Sequence, residues 1–148
     1  MNNGYLHQTN HSMYDCGHHP FVVNIAGATR SNETYRTAIW TGEYFQVTLM
    51  AIMPGDDIGL EIHPNTDQFL RIEEGHGFVQ MGDDKNQLDF CTEVGPGNAI
   101  VIPAGKWHNL TNIGPTPLKL YSIYAPPEHP YGTVHATKMN ALEAEQGY

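Results

Sequence analysis

Within GLEIHPNTDQF, residues 59–69, Glu61 and His63 sit two positions apart. Along an extended strand, side chains two apart project to the same face, so a carboxylate and an imidazole look into one space. Pro64 and Asn65 then break the run. The bend resets the parity, so Gln68, opening the next strand, points back towards that pair. A second segment, GNAIVIPAGKWHNLTN, has a strand from Ala99 to Ile102, a turn at Pro103-Ala104-Gly105-Lys106, and a new strand opened by His108. A carboxylate, an amide oxygen and two imidazoles brought together by two hairpins suit a divalent transition metal of borderline hardness, Zn, Mn, Fe or Ni. Glu61, His63 and His108 alone make the two-His, one-carboxylate set that holds non-haem iron with positions left open. Asp67 competes with Gln68 for the fourth place, although an aspartate in a turn has a local explanation.

The elements that must position these residues read as strands. FVVNIA, TYRTAIW, YFQVTLMAIM, GLEIH, QFLRIEE, GFVQM, LDFCTEV, AIVIP, HNLTNI and LKLYSIY are rich in β-branched and aromatic residues, and Gly, Pro, Asp and Asn punctuate the chain between them. About ten short strands at this spacing predict a sandwich or closed barrel. The one helical signal is TKMNALEAEQ near the end, with Thr137 as its cap. At 148 residues and 40% hydrophobic content the chain has the length and apolar content of one domain with its own core. Its core is expected over about residues 35–125, with an N-terminal arm over 1–20 and a tail over 126–148.

Seven Lys+Arg against 16 Asp+Glu, a formal charge of −9, opposes nucleic acid and anionic membrane surfaces as partners. Cys16 and Cys91 are in no metal-binding spacing and read as free buried thiols. With no basic, apolar leader at its start, the chain is expected in the cytoplasm.

The second segment resembles the second signature of the cupin family: Gly97, five residues, Pro103, one, Gly105, two, His108, three, Asn112. The first signature is present in altered form, with Gly55 at its start, His63 in the second His position and Glu61 in place of the first His. The usual Glu falls at Asp67 or Gln68. The resemblance covers roughly residues 44–125 and implies an all-β jelly-roll barrel that binds a metal, with a short C-terminal helix added by the sequence reading. It also implies a homodimer. With Glu61 charged and Gln68 neutral, the four ligands still carry one negative charge, as the usual cupin set does.

In composition, one Gln, one Glu and two His are similar to the zinc site of phosphomannose isomerases. That similarity implies isomerase chemistry on a sugar or hydroxy-carbonyl compound by Lewis-acid activation. The alternatives are an Fe(II)- or Mn(II)-dependent dioxygenase and a metal-stabilised binding module without turnover. Glu128 and His129, in the proline-stiffened APPEHPYGTVH, are candidates for the proton-transferring base, with His135 beside them and structural packing as the competing role. Tyr44, Gln46, Thr48 and Met50 share one face of a strand and are candidates to line a substrate pocket, unless the opposite face turns inward. His7, His11, His18 and His19 read as part of an irregular tail. A shortage of cations near the proposed centre argues against a phosphorylated substrate.

Overall fold

The structure is a computed structural model and describes residues 14–146. Nine strands are found among these residues: β1 (Arg36–Thr41), β2 (Gln46–Ile52), β3 (Asp67–Glu74), β4 (Gly77–Gly82), β5 (Phe90–Val94), β6 (Ala99–Ile102), β7 (Trp107–Asn112), β8 (Leu118–Ala125) and β9 (Val134–His135). They form two antiparallel sheets, one ordered β6-β3-β8-β2-β1-β9 and the other β5-β4-β7.

Strand register shows how the inner face is built. Directly opposed residues share a face, and the pairings carry one row across the large sheet from Arg36 through Met50 and Leu120 to Ile72. The next row runs Ala38, Thr48, Ser122, Leu70 and Ile100, and the next Gln46, Tyr124, Gln68 and Ile102. In the small sheet Val79 opposes Leu110 and Met81 opposes His108. The apolar members other than Ala38 and Tyr124, with Ile52, Val94 and Leu118, form one buried cluster. The interior therefore has two ends, an aliphatic one and one where Gln46, Gln68, Tyr124 and His108 are buried together with polar atoms.

Two expectations fail in the segments flanking the strands. FVVNIA forms no strand: its last residues enter helix α1 (Ile25–Ser31), because Asn24 caps the helix by accepting a hydrogen bond from the Gly27 amide at 3.1 Å. Helix α1 lies against β8 and β3, with Lys119 Nζ donating to the Arg30 carbonyl at 2.7 Å. GLEIH is likewise no regular strand. It runs beside β7 through isolated bridges, Asp57 with Thr111 and Glu61 with His108, and Gly59 interrupts it at φ 85°. Strand β9 has no counterpart among the sequence-predicted runs.

The C-terminal helix α2 (Lys138–Gln146) begins as expected: the Thr137 hydroxyl accepts from the Asn140 amide at 3.1 Å, and Asn140 Oδ1 accepts in return from the Thr137 amide at 3.2 Å. Ala141 joins the core cluster, and Lys138 Nζ clasps Asp56 and Asp57 at 2.9 and 2.5 Å. Cys16 and Cys91 are free, but Cys91 is exposed and Cys16 only partly covered, contrary to the buried thiols expected. No helix among the described residues is long and apolar enough to cross a membrane. His7 and His11 lie outside the described residues.

Candidate metal centre at the polar end of the barrel

Glu61 and His108 are held together by their own backbones: the Glu61 amide donates to the His108 carbonyl at 3.0 Å and the His108 amide to the Glu61 carbonyl at 2.9 Å. The Gly105 amide donates to the His63 carbonyl at 2.9 Å, fixing the second hairpin to the first. The two segments singled out in the sequence are thus joined where their polar side chains project inward. Glu61 Oε1 lies 3.3 Å from His63 Nε2 and 3.4 Å from His108 Nε2, and the three residues form a group able to hold a metal.

These separations are longer than a good charge-assisted hydrogen bond, about 2.7–2.9 Å. They match donors bound at about 2.0–2.1 Å to one ion, which stand about 3.0–3.4 Å apart in octahedral or tetrahedral arrangement. His63 Nε2, His108 Nε2 and Gln68 Oε1 are all buried without a hydrogen-bond partner. Buried polar atoms ordinarily have one, so three such atoms facing the same end of the barrel fit a bound cation. Gln68 donates its Nε2 to Ser122 Oγ at 3.1 Å, which leaves the oxygen as the end available to an ion. Asp67, the rival, is exposed and its Oδ1 accepts from the Ala104 amide at 2.8 Å, capping the 103–106 turn.

Each imidazole is oriented from behind. His108 Nδ1 lies 2.9 Å from the Lys106 carbonyl, which can only accept, so that nitrogen carries a proton and Nε2 is the lone-pair nitrogen of the neutral ring. His63 Nδ1 faces Glu128 Oε1 at 3.1 Å, and Glu128 Oε2 accepts from the Thr66 hydroxyl at 3.1 Å. This carboxylate–histidine arrangement is the usual support of a metal-binding imidazole. Burial alone would raise the Glu61 carboxyl, but its contacts with His108 and His63 outweigh that and bring it down to about 2. Glu61 is therefore an anion throughout the neutral range. His63 is raised, because burial, which favours its neutral form, is outweighed by Glu61 and Glu128.

The segment after β8 crosses this end of the barrel and carries Glu128, His129 and His135. Gln46 holds it there: its Oε1 accepts from the His129 amide at 3.0 Å while its Nε2 donates to the His129 carbonyl and to Thr41 Oγ1, both at 2.9 Å. Asp15 adds a second anchor, Oδ2 accepting from Thr41 Oγ1 at 2.5 Å and from the Gly132 amide at 2.9 Å. Glu128 consequently stands behind His63, with part of its side chain still exposed. The His129 ring meets Tyr124 edge-on at 5.1 Å between centroids, and its Nε2 is buried without a partner. Burial, helped by Arg36, holds its pKa down at about 3, so the imidazole is neutral.

The expected pocket-lining quartet divides. Tyr44 precedes β2 and is 76% exposed, so it does not share the inner face. Gln46 is committed to the crossing segment, and Met50 belongs to the apolar cluster. Thr48 faces inward with its hydroxyl unpartnered.

Sequence reasoning missed Arg36. It opens β1 on the inner face, is 4% exposed, stacks over the Tyr35 ring at 5.2 Å and approaches His135 Nδ1 with Nη1 at 3.2 Å. The available signal was its spacing two residues before Ala38 on a strand, which places it on the same face. Arg71, in contrast, lies on the opposite face, 43% exposed and 3.6 Å from Glu73, as the alternation predicts.

Comparison with known proteins gives this geometry its relatives. The family profile described as Cupin domain matches residues 48–124, from β2 into β8. Uncharacterized protein YrkC of Bacillus subtilis (strain 168) is 64% identical over 131 residues, 88% of this chain and 70% of that protein. An uncharacterized protein of Acanthamoeba polyphaga mimivirus is 44% identical over 115 residues, 77% of this chain and 70% of that protein. The crystal structure of BH2720 from Bacillus halodurans superposes with a TM-score of 0.87 at 60% identity, covering 87% of this chain and 98% of the other.

Proposed function

The chain belongs to the cupin family, and from that membership we propose that it is a metal-dependent isomerase of a small hydroxy-carbonyl compound, bound at the polar end of the jelly-roll barrel. Glu61, His63, Gln68 and His108 would hold the ion. The observation that carries this reading is the pair of buried, partnerless Nε2 atoms of His63 and His108 around a carboxylate held ionised, with Gln68 Oε1 also buried and partnerless. A divalent ion bound there, Zn, Mn, Fe or Ni by the chemistry of its donors, supplies Lewis-acid polarisation of a carbonyl oxygen.

The chain's own residues supply the rest. Glu128 and the Lys106 carbonyl fix the two imidazole tautomers, which makes Glu128 a positioning residue in place of the base suggested by sequence. His129 Nε2, neutral and unpartnered, would take up a proton from the substrate and return it. Tyr124, fully buried, packs edge-on against the rings of His63 and His129 at 5.9 and 5.1 Å.

A second reading has its own observation. Glu61, His63 and His108 come together as a two-His, one-carboxylate set, the kind that holds non-haem iron. One experiment separates the two: metal-loaded protein is incubated with hydroxy-aldehydes and hydroxy-ketones in heavy water while oxygen is monitored. Exchange of deuterium into the carbon beside the carbonyl, without oxygen uptake, is the expected result. Oxygen consumption without exchange would establish the dioxygenase instead, and binding without either would leave a non-catalytic module. A homodimer remains part of the proposal, supported by the exposed apolar residues Phe90 and Val101 on β5 and β6.

A further inference from the structure

Arg36 is a buried cation without a paired anion among the described residues. No ion pair among the described residues includes it, and residues 1–13 and 147–148 contain no aspartate or glutamate. Guanidinium cannot shed its proton in a protein, and buried charges are ordinarily paired. The residue is only 4% exposed, and its Nε is buried without a hydrogen-bond partner. Its neighbours are the Tyr35 ring, His135 Nδ1 and the Tyr124 side chain. None of these is an anion at neutral pH, and the Glu61 carboxylate, near enough to act on the Arg36 charge, forms no ion pair with it.

Its position gives the unpaired charge a use. Thr48, whose hydroxyl is also buried and unpartnered, is a diagonal cross-strand neighbour of Arg36 on the inner face of β1 and β2. Tyr124 joins this corner to the metal centre, its ring lying 5.9 Å from that of His63. A donor N–H and a donor O–H on one face complement the two oxygens of a carboxylate. A single guanidinium near the Glu61 anion is a poor match for a doubly charged phosphate.

We infer that Arg36, with Thr48 beside it, binds a carboxylate group of the small molecule handled at the metal centre, so that the substrate class is a hydroxy- or oxo-acid. This rests on the reading of Glu61, His63, Gln68 and His108 as the centre that handles the rest of the molecule. A bound carboxylate also offsets the field of Arg36 on His129, improving that imidazole as a proton acceptor.

The test measures binding of glycolate, lactate and glycerate, each against its own amide, to the full chain as purified and after chelation. Acids are expected to bind about tenfold or more tightly than amides of the same shape. Arg36→Gln brings acid affinity down to that of the amide, Arg36→Lys restores part of it, and Thr48→Val weakens it a few-fold. The preference for acids persists after chelation. Should Arg36→Gln fail to fold, the wild-type acid–amide comparison together with Arg36→Lys and Thr48→Val decides. Equal binding of acids and amides, or full preference in the Arg36 variants, overturns the inference. A preference abolished by chelation and untouched at Arg36 also overturns it, by assigning the carboxylate to the metal, and leaves the metal reading standing. A protein that holds no metal yet prefers acids through Arg36 would do the reverse.

Discussion

Strand β7 sends two polar side chains into the barrel, His108 near one end and Asn112 near the other, and both are 1% exposed. Asn112 is complete. Its Nδ2 donates to the Ile52 and Thr116 carbonyls, both at 2.8 Å, and its Oδ1 accepts from the Gly114 amide at 2.9 Å. His108 is half complete, with Nδ1 on the Lys106 carbonyl and Nε2 facing Glu61 without a hydrogen bond. Equal burial with opposite satisfaction separates a residue that locks the fold from one held ready for a ligand. The same division runs across the barrel: the aliphatic side chains pack on one another, whereas the polar end contains partnerless atoms of His63, Gln68, His108 and His129.

The largest effect expected from breaking this comparison is on metal affinity. His108→Ala removes an ion ligand, and the loss exceeds the about 10–100-fold typical of an outer partner. Titration calorimetry on chelated protein measures it, and the unfolding midpoint of the metal-free variant stays near that of wild type. Asn112→Ala gives the converse: about 2–4 kcal/mol of unfolding free energy is lost in denaturant titration, because three backbone groups lose their partner, while metal affinity is retained. Glu128→Gln sharpens the comparison at intermediate size, lowering metal affinity about tenfold by loosening the His63 tautomer. If its affinity matched wild type, the support assigned to Glu128 would be wrong.

The smallest effect on stability at neutral pH belongs to His129→Gln, and it grows on acidification. The imidazole is surrounded by Tyr124, Arg36, His135, His63 and Glu61, and its folded pKa, about 3, lies below the ordinary value of about 6.5. Below pH 6.5 the unfolded chain therefore binds a proton that the folded chain refuses. The stabilisation is full above 6.5 and is lost as pH falls towards 3. Melting curves of metal-free protein between pH 7 and 4 are expected to fall less steeply for His129→Gln than for wild type. Parallel curves would show that His129 does not carry the acid limb.

Much of this arrangement was legible because strand alternation is local. Glu61 with His63, and Gln68 with Leu70 and Ile72, follow from counting by two, and the Pro103–Asn112 spacing places His108 without reference to the rest of the chain. Long-range pairing was harder to read. Arg36 acquires its meaning only from the β1–β2–β8 register, and Glu128 only from a segment crossing over His63. Tyr44 was misplaced because β2 begins two residues later than its apolar run suggests. Capping chemistry at Asn24 likewise overrode the β-rich composition of FVVNIA.

X-ray absorption on metal-loaded protein, paired with its anomalous crystal structure, tests the central claim most directly. The account predicts one divalent ion bonded through Nε2 of His63 and His108, the Glu61 carboxylate and Gln68 Oε1, at about 2.0–2.2 Å for nitrogen and oxygen donors. An ion bound elsewhere, or a loaded protein in which these two Nε2 atoms remain unligated, would contradict it.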